Sequence, residues 1–329
     1  MNGAIIGFGK IAEGHLYAYR TIKNLNITAI VDTCHQRCKS IIEEYTDINI
    51  YDSLEKMLSK ENIDFVDVCT PPVFRYTIMK TCLEKGLHVI GEKPFLIYDY
   101  QFNDLIDISK KRNLILFPIH NYLYSPAIKY ILDNYNCITD LKMTTKRIGH
   151  AKGIQEWYSD WRKDSNYSVG GILWDHGPHS IYIASHILRS FPKSVSCKLI
   201  NNNKSQNEDT AILYMKFDNN TSCSIYLSWE SSDRVTKIEF KTNTDFVIIE
   251  NDDIIVNSGI RKIIEKCNSG FNDHSHKDWY IDVLLDFKKC IENDLFPSDS
   301  LKMSLIITKT INAAYESSNN NGKIVEVRI

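Results

Sequence analysis

The run Gly7-Phe8-Gly9-Lys10-Ile11-Ala12 constrains this chain more than any other feature. It follows an apolar, strand-like stretch, Ala4-Ile5-Ile6, and opens an amphipathic helix expected over residues 11–23. That is G-x-G-x-x-G/A in the strand–turn–helix context the motif needs. Gly7 permits the tight turn, Gly9 lets backbone approach a pyrophosphate, and small Ala12 lets helix and strand pack. Phosphates would lie at the helix N-terminus, where free N–H groups and the dipole favour an anion. Gly7, Phe8, Gly9, Lys10 and Ile11 are therefore candidate dinucleotide contacts. Asp32 ends the next expected strand, 27–31, about twenty residues beyond the turn. A carboxylate there accepts from the adenosine ribose hydroxyls and repels a 2′-phosphate. The reading is NAD rather than NADP, with Arg37 the nearby cation that could alter that preference.

The rest of the first third alternates short β-rich runs with helical stretches. Strands are expected at 49–51, 64–70, 87–90 and 113–118, and helices at 34–45, 54–59, 76–85 and 98–112. Such alternation predicts an α/β domain, a doubly wound parallel Rossmann sheet over residues 1–121. From 122 to 329 the pattern becomes α+β, with a large open, mainly antiparallel sheet. Its strands are expected at 138–148, 193–200, 211–217, 222–229, 237–241 and 245–256, the last interrupted around 251–258. Helices are expected near 125–135, 178–189, 278–293 and 300–318, then a short strand at 324–329.

Composition removes other classes. Among 329 residues, 43% are hydrophobic and 24% charged, which is ordinary for a chain with a sizeable core. The formal net charge of −2, without a basic block, argues against nucleic acid as a partner. No apolar run reaches the ~18 residues a membrane span needs. The opening residues read as a strand rather than a signal peptide. Nine scattered cysteines fit reduced thiols in a cytoplasm. Cys34 and Cys38 are four apart, but no second Cys/His pair at zinc-site spacing follows them, and His176, His179 and His186 match no zinc signature, so no metal is expected.

Two further stretches carry a family likeness. Cys69-Thr70-Pro71-Pro72 followed by Gly86-Leu87-His88-Val89-Ile90-Gly91-Glu92-Lys93-Pro94 resembles a TPP…GKHVxxEKP segment, and Gly170-Gly171-Ile172-Leu173-Trp174-Asp175-His176-Gly177-Pro178-His179 resembles GGGxxxDxGxH. Together these resemble the Gfo/Idh/MocA oxidoreductase family, and the likeness extends over nearly the whole chain. It implies oxidation or reduction at a secondary alcohol or carbonyl of a sugar, cyclitol or nucleotide sugar. It also implies a homodimer or homotetramer joined through the C-terminal sheet. By matching motif positions, the catalytic candidates are Lys93, Asp175 and His179. Glu92 would touch the nicotinamide ribose, with Thr70, Pro71 and Pro72 lining the cofactor beside Lys93. Three positions depart from the pattern: Arg75 replaces a histidine, Val169 the first glycine of the GGG run, and Gly91 a frequent cysteine.

The chemistry suits those residue types. Hydride transfer needs a group that removes the hydroxyl proton, and histidine serves near neutral pH. Asp175 and His179 share a helix face if the helix begins near Asp175, with Pro178 tolerated in its first turn. The reading gives His179 the base role, Lys93 an orienting and electrostatic role, and Asp175 substrate contact and orientation of the histidine; the first two roles could be exchanged. Further substrate-contact candidates are Asn121, Trp161, Arg162 and Tyr280. Arg162 reads equally as an anion clamp or a surface ion pair, and Tyr280 also reads as core. Two other functions fit the same sequence: a lyase or glycosidase that keeps NAD for transient oxidation, and a non-catalytic dinucleotide sensor.

Overall fold

The computed structural model describes residues 1–34, 36–37, 43–148, 167–202, 207–259, 261–267, 270–271 and 276–328. Among these the chain divides into two compact units. The first holds residues 1–121 and 276–304; the second holds the described parts of 122–271 and 305–328. The sequence reading ended the first domain at 121, so residues 276–304 are an addition to it.

In the first unit six parallel strands form one sheet: β1 (Asn2–Ile6), β2 (Asn26–Val31), β3 (Asn49–Tyr51), β4 (Phe65–Val68), β5 (His88–Gly91) and β6 (Leu116–Pro118). Their order is β3-β2-β1-β4-β5-β6, the doubly wound arrangement whose ligand crevice lies beyond the strand C-termini. The crossovers include α1 (Lys10–Thr21), α2 (Leu54–Lys60), α3 (Pro72–Glu84) and α4 (Asp99–Lys111). Helix α3 starts four residues before the expected 76, because Pro72 occupies the first helical position. A proline costs nothing there, since that N–H has no intrahelical acceptor. The addition from the far end of the chain brings a helix, Lys277–Glu292, against α1 and the sheet. Its Phe287 rings against Phe65 of β4 and Phe117 of β6 at 5.6 and 5.7 Å.

The second unit begins with α5 (Pro126–Asn134) and β7 (Asp140–Ile148), followed by α6 (Ile172–Ile187). Its sheet has nine strands: β7, β8 (Pro192–Ile200), β9 (Thr210–Phe217), β10 (Ser222–Ser231), β11 (Val235–Lys241), β12 (Asp245–Glu250), β13 (Asp253–Ser258), β14 (Arg261–Lys266) and β15 (Val325–Glu326). The order is β14-β13-β12-β11-β7-β10-β9-β8-β15, antiparallel throughout except for β7 with β10. The expected interruption of 245–256 is a hairpin turning at Asn251, which takes φ 51°. Strand β14 was not expected.

Alternation along these strands buries one face only. Leu213 and Met215 of β9, Ile225 and Leu227 of β10, and Leu141 and Met143 of β7 point into a core covered by α6. That helix is apolar nearly all round, as a helix buried on every side must be. Among the described residues no helix is long and apolar enough to cross a membrane.

Candidate functional site

The glycine turn is built as its spacing requires. Gly7 takes φ +86°, and a Cβ on it would come within 2.9 Å of Thr70 Cγ2. Gly9 caps α1 in extended backbone, and a Cβ there would meet nothing within 4 Å. Open space therefore faces the α1 N-terminus where a pyrophosphate would lie. Asp32 ties down the same turn: its Oδ2 accepts from Phe8 N at 2.7 Å, and its Oδ1 from Cys34 N at 2.7 Å. Arg37 donates to both oxygens at 3.2 and 3.0 Å. Lys10 pairs with Glu13 at the surface, 2.7 Å apart.

Beyond β4, β5 and β6, on the same sheet edge, lie Thr70, Glu92, Lys93 and Asn121. Arg75 joins two of these loops from α3. Its Nε donates to Thr70 O at 2.8 Å and its Nη1 to the carbonyls of Glu92 and Pro94. Arginine in place of histidine at this position is thus a staple between cofactor loops. The Lys93–Pro94 peptide is cis. Two buried polar atoms on this edge, Thr70 Oγ1 and Asn121 Oδ1, have no partner among the described residues. Unpaired buried acceptors and hydroxyls are uncommon and ask for a ligand group. With the open cradle at Gly9, they fit the ribose–nicotinamide half of a dinucleotide.

Glu92 is 3% exposed yet ionised. Its Oε1 accepts from Tyr280 OH at 2.8 Å and faces His15 Nε2 at 3.2 Å; its Oε2 accepts from Lys93 N at 2.9 Å. Burial pushes its pKa up, but the hydrogen bond and charge of His15, then Lys93 and Arg75, outweigh that and hold it down at about 2. Tyr280 also receives Asn121 Nδ2 at 3.2 Å. Both residues are buried on the first unit, so Tyr280 reaches the edge through Glu92. His15, Asp67 and Cys69 bring ligating atoms within 4.8 Å of one another. Burial disfavours the charge on His15, but neighbouring Cys69 and Asp67 hold it well above the ordinary 6.5. His15 Nδ1 lies 2.8 Å from Asp67 Oδ2 and 3.5 Å from Cys69 Sγ, so hydrogen bonding accounts for this grouping.

The second unit presents α6. Asp175 and His179 both lie on it, four residues apart, but the helix starts at Ile172 rather than near Asp175 or Pro178. Pro178 therefore lies inside the helix, and the Trp174 carbonyl cannot receive the usual bond from it. A remote carboxylate makes the earlier start possible. Glu208 Oε1 accepts from Gly171 N, Leu173 N and Tyr315 OH at 2.9, 3.1 and 2.8 Å, and Glu208 O accepts from Ile172 N at 3.1 Å. Three backbone N–H groups are satisfied where a helix start leaves orphans. The buried His179 has its Nδ1 2.8 Å from Tyr182 OH, which also accepts Tyr122 N at 3.1 Å. The Tyr122 ring lies 4.2 Å from the imidazole. Asp175 Oδ2 is 3.6 Å from His176 Nε2. Tyr182 is an orienting partner the sequence reading missed, although position i+3 on the same helix pointed to it.

Trp161 and Arg162 lie outside the described residues. His15, Asp67 and Glu208 were not singled out from the sequence, and Arg75 only as a departure from the family pattern. For Asp67 there was a signal, a lone acid in the apolar run Phe65-Val66-Asp67-Val68 of a buried parallel strand.

Fold and edge together define a chain of two units, the first a doubly wound Rossmann fold with an open glycine cradle at its sheet edge. Residues 1–120 match the family described as oxidoreductases with an NAD-binding Rossmann fold, and residues 138–244 match the GFO/IDH/MocA C-terminal domain. The chain belongs to the Gfo/Idh/MocA family. D-glucoside 3-dehydrogenase of Escherichia coli strain K12 is 28% identical over 198 residues, 59% of this chain and 56% of that protein. The chain spans about half the length of the curated relatives it matches. An oxidoreductase from Agrobacterium radiobacter, solved with NAD+, L-tartaric acid and magnesium, has a TM-score of 0.85 at 17% identity over 99% of this chain and 98% of its own. Levoglucosan dehydrogenase, solved with NADH and L-sorbose, has a TM-score of 0.84 at 18% identity over 100% and 99%. At these identities the structural likeness establishes the fold.

Proposed function

We propose that the protein is an NAD-dependent dehydrogenase or reductase acting on a secondary alcohol or ketone of a polyhydroxylated small molecule: a sugar, cyclitol or nucleotide sugar. The observation that carries this is the composition of one sheet edge. An open glycine cradle, Asp32, the orphaned Thr70 and Asn121 atoms and the Glu92–Lys93 pair all gather there. The sugar dehydrogenase among the relatives supports the substrate class.

NAD, when bound, accepts or returns the hydride. Every other task falls to the chain. Asp32 accepts from the adenosine ribose and disfavours a 2′-phosphate. Glu92 Oε2 has one backbone donor and keeps acceptor capacity for the nicotinamide ribose. Thr70, Pro71 and Pro72 line the cofactor. Lys93 orients the substrate hydroxyl and stabilises charge developing on its oxygen. As the carbinol C–H bond breaks with its electron pair leaving as hydride, the hydroxyl proton passes to His179 Nε2, while Tyr182 holds Nδ1. Asp175 contacts the substrate. In the reductive direction His179 returns the proton to the carbonyl oxygen.

The outward face of the nine-stranded sheet supports self-association. Ile212 and Tyr214 of β9 are 42% and 46% exposed on it, and Ile264 of β14 is 60% exposed, apolar side chains that favour an interface. We place a homodimer or homotetramer on that face, in a reducing cytoplasm suited to the free thiols.

Lys93→Ala and His179→Ala should each lower turnover at least ~100-fold with the NAD dissociation constant nearly unchanged. The check is steady-state NADH formation on a panel of sugars and cyclitols beside calorimetric NAD binding. Turnover within threefold of the parent in either variant would overturn that residue's role.

A further inference from the structure

The first unit buries more charge than a cofactor turn needs. His15, on α1, is fully buried, with Nδ1 2.8 Å from Asp67 Oδ2 and Nε2 3.2 Å from Glu92 Oε1. Asp67 is fully buried in β4 and Glu92 directly follows β5. Tyr19 OH donates to Asp67 Oδ2 at 3.1 Å, and Cys69 Sγ lies 3.4 Å from Asp67 Oδ1. The Tyr280 ring packs 4.1 Å from the imidazole, and its hydroxyl donates to Glu92. An apolar trio would stabilise a core at least as well as this buried ion cluster. The cluster reaches the cofactor edge through Glu92 and through the Tyr280 hydroxyl, which receives Asn121 Nδ2.

We propose that His15 is a positioning residue for the dinucleotide site. Bridging Asp67 and Glu92, it fixes the Glu92 carboxylate where that group accepts from the nicotinamide ribose. This rests on the reading of Glu92 as a cofactor contact. The bridge matters through charge as well as geometry. Two buried carboxylates share one cation, and without it the charge of Asp67 raises the affinity of Glu92 for a proton, with burial acting the same way. The other groups facing Glu92 are Lys93 beside it, Arg75 on its carbonyl, and the neutral Tyr280 and Cys69; the Cys69 thiol is pushed up to about 12, chiefly by burial and Asp67. All four persist when His15 is replaced. Glu92 is held at about 2 in the native protein, so it stays an acceptor across the neutral range. Without His15 it takes up a proton as the pH falls, and a protonated carboxyl no longer offers the same acceptor.

The test is calorimetric titration of the full chain with NAD+ from pH 5.5 to 8.5. The native protein should show a dissociation constant independent of Glu92 across that range. His15→Gln keeps polar contacts and loses the charge. Its NAD+ affinity should fall about tenfold between pH 8.5 and pH 5.5 relative to the native protein, and Asp67→Asn in that background should flatten the profile again. A His15→Gln loss of the same factor at every pH, or none, overturns the bridge. Should His15→Gln not fold, proton exchange decides. Native protein and Glu92→Gln should release the same number of protons on binding NAD+ at pH 5.5, and a difference approaching one proton overturns the proposal. Glu92→Gln also separates the two readings. Unchanged NAD+ affinity there removes Glu92 from the cofactor site, whereas weakened affinity with a flat His15→Gln profile removes only the role of His15.

Discussion

Adding one methyl group at Gly9 or at Gly7 separates a ligand cradle from a structural turn. Gly9 has φ −79° and ψ −177°, extended backbone open to any residue, and a Cβ there meets nothing within 4 Å. Gly9→Ala should therefore leave unfolding free energy within about 0.5 kcal/mol, since lost chain entropy in the unfolded state offsets the weaker cap. The same methyl occupies the approach of the pyrophosphate. Losing one charge-assisted N–H contact costs roughly 1.5–3 kcal/mol, which is about 10- to 150-fold in dissociation constant. Gly7→Ala should do the reverse. Its φ of +86° costs a side chain about 1–2 kcal/mol, and the new Cβ lies 3.1 Å from the Thr70 backbone, which cannot yield as a side chain can. A loss of about 2–4 kcal/mol, or roughly 5–15 °C in Tm, is expected. Thermal unfolding without cofactor and calorimetry with NAD report the two quantities independently. If Gly9→Ala binds NAD within twofold of the native protein, the open space is not a phosphate site and the cradle reading fails.

Tyr182→Phe removes the hydroxyl shared by His179 Nδ1 and Tyr122 N. Turnover should drop about 10- to 100-fold through loss of imidazole orientation while NAD affinity holds; an unchanged kcat would dismiss Tyr182 as an orienting residue. Asp32→Asn leaves the Arg37 cation beside a neutral amide, so the preference for NAD over NADP should shrink about tenfold, or roughly 1.4 kcal/mol. Competitive binding of the two cofactors measures it, and an unaltered ratio argues that Asp32 serves only the turn. Glu208→Gln reports on the α6 cap. Burial, opposed by Tyr315 and three backbone N–H groups, raises the Glu208 pKa from 4.5. The folded state then binds the proton more tightly than the unfolded one, so ionisation costs stability as pH rises from 4.5 through the raised value. Urea midpoints should thus shift in favour of the glutamine variant between pH 4 and pH 7. A gap that stays constant across that range would contradict the raised pKa.

What the sequence made legible follows the range of the forces involved. The glycine turn, the strand-end acid and the βα alternation are local patterns, and all six strands of the first sheet were expected. Strand β14 escaped notice because Arg261–Lys266 shows no clean apolar alternation. The start of α6 escaped because its capping carboxylate, Glu208, is 35 residues away from Leu173 and announces nothing locally. The return of residues 276–304 to the first unit is likewise invisible to periodicity. It depends on Phe287 finding Phe65 and Phe117, and on Tyr280 finding Glu92 188 residues earlier.

Asp67 shows how such partners can be sought from sequence. A parallel strand buried on both faces tolerates an acid only if a cation or several donors meet it. The partner must come from an element packed on that sheet, and α1, which follows β1 beside β4, is one such element. Along α1 the residues facing inward include Ala12, His15, Leu16 and Tyr19. Only His15 among these can carry a positive charge, and Tyr19 is four residues on, one turn along the same face. A buried strand acid, a histidine six residues after the second glycine and the glutamate of an E-K-P turn therefore define the cluster before any coordinates do. The periodicity that assigns helix and strand also says which polar residues point inward. A partner is then sought for each of those, because an unmatched one costs about 1–3 kcal/mol of a stability of only about 5–15 kcal/mol.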